Sequence, residues 1–246
     1  YRRKHMEGFF EAIKGFFVSF GDKFSQNFIE KNRWQYLTNG LATTLIITVC
    51  AVILGFILGF IVAVVRSTHD KTGKMKAGNF FAHIYLTVIR GTPVMVQLLI
   101  IYYVIFQSIN INKIFCAILA FGINSGAYVA EIVRSGIMSI DNGQMEAGRS
   151  LGLNYRQTML SIILPQAFKN VLPALANEFI VLLKETSIAG YIAITDLTRA
   201  GDIIQSQTYE AFMPLLAVAA IYLVMVVGLT RLVRLLERRL AKNDKR

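Results

Sequence analysis

Three stretches of this 246-residue chain contain no Asp, Glu, Lys or Arg: Trp34 to Val65, Gly91 to Asn112 and Ala211 to Thr230. A helix needs about 20 apolar residues to cross ~30 Å of hydrocarbon, and each stretch is long enough. Lipid offers no hydrogen-bond partner to an open backbone, so runs of this kind cross as helices. The whole chain is only 17% charged, against about 25% in soluble domains. The expected fold class is an all-α integral membrane protein.

Five spans are expected, at about 39–65, 80–107, 114–138, 163–184 and 209–231. The loop from Arg66 to Lys76 holds Arg66, Lys71, Lys74 and Lys76, and the tail from Arg231 holds seven Lys or Arg. The excess of cations places both in the cytoplasm, giving an N-out, C-in topology. Residues 1–38 carry seven Lys or Arg against four acidic residues yet fall outside, an exception that amphipathic segments permit. Within residues 1–35, Phe9, Phe10, Ile13, Phe16, Phe17, Phe20 and Phe24 recur at helical spacing between charges. That pattern reads as an amphipathic helix at the interface, or one laid against the bundle. The remainder divides into a transmembrane domain over 36–240 and a basic tail over 241–246.

A net charge of +11 at pH 7 would suit a nucleic-acid binder. Here the cations cluster at the ends of apolar segments, so orientation in the membrane explains them and no nucleic-acid partner is expected. Cys50 and Cys116 lie inside apolar runs. His5, His69 and His83 lack metal-ligand spacing. Gly148-Arg149-Ser150-Leu151-Gly152 has G-x-S-x-G spacing but falls where two expected helices meet, not on the strand-to-helix turn of a nucleophile elbow, and no GxxxxGK[ST] loop is present. These absences argue against an enzyme; no catalytic residue, metal or cofactor is assigned to this chain.

Ionisable and amide groups inside spans are expensive and mark either a pathway or contacts between helices. The candidates are Glu178 with Asn177, Asn124, Glu131 and Gln97. Arg134 follows Glu131 at i,i+3 and can pair with it. Gly55-x-x-x-Gly59 suits close helix approach, and Arg90-Gly91-Thr92-Pro93 suits a bend in span 2.

Between spans 3 and 4 lies a polar stretch, DNGQMEAGRSLGLNYRQTMLSIILP, from Asp141 to Pro165. It reads as two short helices around Gly152. Asp141 and Asn154 are placed as caps, each with a glutamine three residues on (Gln144, Gln157) for a capping box. Gly152 suits a left-handed stop, and Pro165 a bend where the next span begins. On shape alone it is equally a solvated loop or a docking hairpin.

The spacing Glu146-Ala147-Gly148, three residues, Gly152, nine residues, Ile162-x-Leu164-Pro165 resembles the signature loop of the membrane subunits of bacterial ATP-binding-cassette importers. Thr43-Thr44, Arg90-Gly91-Thr92-Pro93 with Val96-Gln97, Ala127 to Glu131, Arg134 to Ile137 and Leu183 to Ile188 extend the likeness to the polar amino-acid permeases of histidine, glutamine or arginine type. It covers about 36 to 240. The family usually has alanine at Gly148 and often Asp at Glu185. The resemblance implies a permease dimer, homo- or heteromeric, in the bacterial cytoplasmic membrane. It implies two cytoplasmic ATPase subunits that bind ATP and Mg, and an extracytoplasmic binding protein that delivers a polar amino acid. It implies that the loop over about 141–162 couples to the ATPases through Glu146, Ala147, Gly148, Arg149 and Gly152. An ion-gradient-driven secondary transporter or channel is the alternative, for which such a loop has no evident role.

Overall fold

The computed structural model describes residues 14–15 and 18–243, all of whose regular structure is helical. The helices are α1 (Trp34–Thr72), α2 (Lys76–Gly91), α3 (Val94–Ile100), α4 (Lys113–Met138), α5 (Asn142–Ser150), α6 (Tyr155–Thr158), α7 (Leu164–Glu185), α8 (Leu197–Thr208) and α9 (Phe212–Asn243). Among the described residues, four helical runs are long and apolar enough to cross a bilayer: α1, α4, Tyr155–Ile192, and α9 over Phe212–Arg239. Lys76–Gly91 with Val94–Ile105, bent between them, makes a fifth when the pair is counted as one broken span.

The α1–α4 pair is the centre of the bundle. A Cβ at Gly55 would lie 3.0 Å from that of Ser125, and one at Gly59 only 2.6 Å from that of Val129. The spaced glycines therefore do what small residues do in lipid: they let two backbones close up and pack by van der Waals contact. Ile47, Ala51, Leu98, Ala117, Ala120 and Phe121 fill the core beside this seam.

Four features differ from the sequence expectations. Span 2 is not one bent helix: α2 and Val94–Ile105 meet at 108°. Pro93 supplies no N–H and holds the preceding Thr92 extended, at φ −125° and ψ 145°, as a residue before proline prefers. The stretch between spans 4 and 5, residues 186–207, which reads from sequence as a polar outer loop, is ordered, with a 3₁₀ turn over Thr186–Ile192 followed by α8. The second hairpin helix does not end before span 4. It runs through a π-helical turn at Met159–Ile163 into α7, where the Leu164 N–H bonds to Met159 O. The wider turn accommodates Pro165, which has no donor for a regular i→i−4 bond. The basic tail, finally, continues α9 as far as Asn243.

Part of the expected N-terminal amphipathic helix, residues 1–13 and 16–17, lies outside the described residues. Residues 18–24 are helical and exposed. Beyond them Asn27 and Phe28 are buried, and the chain docks on the far end of α8. Thr208 Oγ1 donates to Asn27 Oδ1 at 2.8 Å, Arg33 Nε to Gln207 Oε1 at 3.2 Å, and Lys23 pairs with Glu210 at 3.0 Å.

α8 is set by Asp196. Its carboxylate accepts from the N–H groups of Thr198 (3.2 Å) and Arg199 (3.1 Å), while the Leu197 N–H donates to Thr44 Oγ1 of α1 at 3.0 Å. The side chain is fully buried, and burial pushes its carboxyl up to about 6, against the pull of the N–H donors. A raised folded-state value means the folded protein holds the proton more tightly than the unfolded one does. The contribution of this group to stability is thus fully present below about pH 4 and is lost as the pH rises through about 6. Asp196→Asn keeps the cap and removes the charge. It is expected to flatten the melting temperature between pH 4 and 7, whereas Asp196→Ala, which strands two N–H groups, costs about 1–2 kcal/mol at both ends. Thermal melts of the purified protein across that range check both.

Candidate functional site

The hairpin between α4 and α7 is built from local hydrogen bonds. Asp141 caps α5, but its carboxylate accepts from Gly143 N at 2.7 Å, and the Gln144 N–H goes to the Asp141 carbonyl instead. The expected capping box is therefore absent at this end: the carboxylate is held two residues on, at N2 rather than N3. At Asn154 the box is complete. Gln157 N donates to Asn154 Oδ1 at 3.0 Å, and Asn154 N to Gln157 Oε1 at 2.9 Å. Between them Gly152 takes φ +83°. Its N–H bonds to Arg149 O at 3.0 Å and the Leu153 N–H to Gly148 O at 3.1 Å, the paired bonds of a Schellman stop.

The coupling candidates divide across this hairpin. Glu146, Ala147 and Arg149 are exposed, and Leu151 at the tip is 79% exposed. Gly148 is buried where α5 meets α6, and a Cβ there would lie 2.5 Å from the Thr158 methyl. Thr158 is fully buried, and its hydroxyl donates to Asn154 O at 3.1 Å, so it cannot simply turn away. Helix propensity favours Ala at 148 by about 0.5–1 kcal/mol, but overpacking costs roughly 1–3 kcal/mol. Gly148→Ala is expected to destabilise the hairpin, and Thr158→Ser, which removes the methyl, to restore it. Hydrogen exchange at residues 142–158 measures this.

Inside the bundle the candidates form two pairs and a cluster. Asn124 Nδ2 donates to Gln97 Oε1 at 3.0 Å. Gln97 Nε2 donates in turn to Ile89 O (2.7 Å), Thr92 O (3.0 Å) and Thr92 Oγ1 (2.9 Å). Gln97 thus ties down the carbonyls that the α2–α3 break leaves open and anchors the break to α4. From the next residue of α4, Ser125 Oγ donates to Glu178 Oε1 at 2.9 Å, linking α4 to α7. Glu178 is 8% exposed while its neighbour Asn177 is exposed, so the structure parts these two. Glu185 lies seven residues beyond Glu178, on the same face of α7.

Glu131 sits apart from these pairs. Its carboxylate meets Arg66 Nη1 at 2.8 Å, Arg134 Nη2 at 3.3 Å and Arg90 Nη1 at 4.0 Å, and Arg134 also reaches Asp70 at 3.3 Å. One carboxylate therefore joins α1, α2 and α4. Of the partners of the polar candidates, Ser125 was not singled out from sequence, while Thr92 and Arg66 stood out there only as part of a bend motif and as a loop cation. Among the described residues no group of three or more His, Cys, Asp or Glu side chains is placed to hold a metal ion.

Residues 55–242 match the family described as binding-protein-dependent transport system inner membrane component. The arginine transport system permease protein ArtQ of Bacillus subtilis is 39% identical over 211 residues, covering 85% of this chain and 94% of ArtQ. The L-cystine transport system permease protein TcyB of the same organism is 34% identical over 226 residues, covering 91% and 94%. Among solved structures, an amino acid ABC transporter crystallised with histidines contains a similar chain. The TM-score is 0.79 at 45% identity, over 86% of this chain and 98% of the other.

Proposed function

Because the chain belongs to the family of binding-protein-dependent transport system inner membrane components, we propose that it is the permease subunit of an ATP-driven importer of polar amino acids. It is a multi-pass membrane protein of the bacterial inner membrane. Two such subunits, identical or related, line the pathway. Two cytoplasmic ATPase subunits bind ATP and Mg, and an extracytoplasmic binding protein hands over the amino acid.

The observation that carries this reading is the hairpin. Two capped helices, closed by a left-handed glycine and backed by a buried Thr158–Gly148 contact, present Glu146, Ala147, Arg149 and Leu151 beyond the bundle. A rigid projection with an apolar tip and charged flanks suits a cleft on a partner protein. The ATPase subunits are that partner: their closure on ATP moves the hairpin, and the hairpin rocks the spans between inward- and outward-facing states. The buried Glu178, with Ser125, Asn124 and Gln97 nearby in the bundle, supplies a carboxylate and amides for an amino group and a carboxyl group in transit. The relatives' names speak of arginine and L-cystine, and both substrates carry the same α-amino and α-carboxyl pair.

The test is ATPase activity of the permease, co-purified with its ATPase and binding protein, in lipid bilayers against a panel of polar amino acids. Stimulation by one or a few of them, lost when Glu146→Lys replaces the wild-type hairpin, is the expected result. Uptake driven by an ion gradient without any ATPase would overturn it and make the chain a secondary transporter.

A further inference from the structure

Phe56, Phe60, Val64, Thr68 and Thr72 follow one another at intervals of four along α1, and so form a single stripe. The stripe lines two adjoining cavities. An apolar one of about 520 Å³ runs between α1, α4 and α7 from Phe56 to Phe60. A second, of about 760 Å³, continues it from Phe60 to Lys74 beneath the hairpin. Phe60, Ile137 and Leu164 belong to both. The stripe spans sixteen residues, roughly 24 Å at 1.5 Å each. A bilayer is about 40–45 Å thick with its headgroups, so one leaflet is roughly 20–22 Å deep. The groove has the length of a leaflet.

Its chemistry changes along that length as a lipid does. The deep end is lined by aliphatic and aromatic side chains, the next turns by threonine hydroxyls, and the mouth by cations. Lys74 and Arg156 border the second cavity. A third, which shares Thr72, Asn154 and Tyr155 with it, adds Lys71 and Arg149. No Asp or Glu lines any of the three. The chain turns sharply to bring Lys74 to the mouth: Gly73 and Met75 both have left-handed backbones, at φ +67° and +60°.

We propose that this groove holds an anionic phospholipid of the cytoplasmic leaflet, with an acyl chain along the α1 stripe and the phosphate between Lys74 and Arg156. Charge complementarity selects the occupant, because four cations without a carboxylate favour a negative headgroup over a zwitterionic one. The lipid then joins the end of α1 to the coupling hairpin. The inference needs only the membrane location of the chain, so its failure leaves the transport reading standing, and the reverse.

The experiment is native mass spectrometry of the delipidated full-length protein titrated with phosphatidylglycerol or with phosphatidylcholine of the same chains. Lys74 and Arg156 are both exposed, and melting curves of Lys74→Gln and Arg156→Gln verify that each variant is folded. The expected result is one tightly held phosphatidylglycerol per chain, with affinity falling about five-fold in each variant and on the order of 25-fold in the double variant. Equal retention of both lipids, or unchanged retention in the double variant, overturns the proposal. So does efficient disulfide crosslinking of Leu160→Cys between two copies in the membrane, which would make a second copy the occupant.

Discussion

Gly152→Val is expected to cut ATP-coupled uptake between about five- and a hundred-fold while the protein still reaches the membrane in normal amount. At φ +83° a β-branched side chain costs roughly 1–3 kcal/mol, and each 1.4 kcal/mol is tenfold in a population. No neighbour lies within 4 Å of a Cβ at this position. The penalty is therefore purely one of backbone conformation, and the bundle is untouched. Gly152→Asn, which tolerates the left-handed region, should fall between the wild type and the valine variant. Uptake and surface abundance measured together decide the matter. A valine variant with full uptake would show that the hairpin's geometry does not matter to coupling.

The second large effect is at Glu131. Arg66, Arg90 and Arg134 converge on its carboxylate, which is 24% exposed, with Asp70 offsetting only Arg134. A solvent-exposed ion pair contributes about 0–1 kcal/mol, and breaking a fully buried one costs roughly 3–5 kcal/mol. This half-shielded cluster falls between, so Glu131→Gln is expected to destabilise by about 2 kcal/mol. Glu131→Lys, which gathers four cations at the end of three helices, should prevent accumulation of the protein. If Glu131 serves the scaffold, Glu131→Gln lowers the melting temperature and leaves the KM for substrate unchanged, and Arg66→Gln in the same chain recovers part of the loss. A raised KM at unchanged stability would return Glu131 to the pathway.

The spans were legible because lipid imposes one rule, long uncharged runs, on every helix that crosses it. The hairpin was legible because caps and glycine stops are local: Asn154 with Gln157, and Gly152, depend on residues within a few positions. What sequence concealed was set at a distance. The 108° break between α2 and α3 depends on Gln97 gathering the freed carbonyls from five and eight residues away. The outer loop looked merely polar because α8 is ordered by Asp196 and by Thr44, 153 residues away in sequence. The run from Tyr155 into α7 was hidden by Pro165, whose usual reading as a breaker omits the π-helical turn that absorbs it.

That uninterrupted run has a mechanical meaning. Tyr155 and Glu178 are 23 residues apart on one helical rod, roughly 35 Å at 1.5 Å per residue. No hinge loop lies between the surface that a partner would push and the buried carboxylate on α7. A tilt of about 10° at one end displaces the other by roughly 6 Å, twice the length of the Ser125–Glu178 hydrogen bond. With the run moving as one piece through the π-helical turn, Pro165 and Pro173, the hairpin cannot tilt that far and leave Glu178 on Ser125. Release of that bond would then keep step with each stroke.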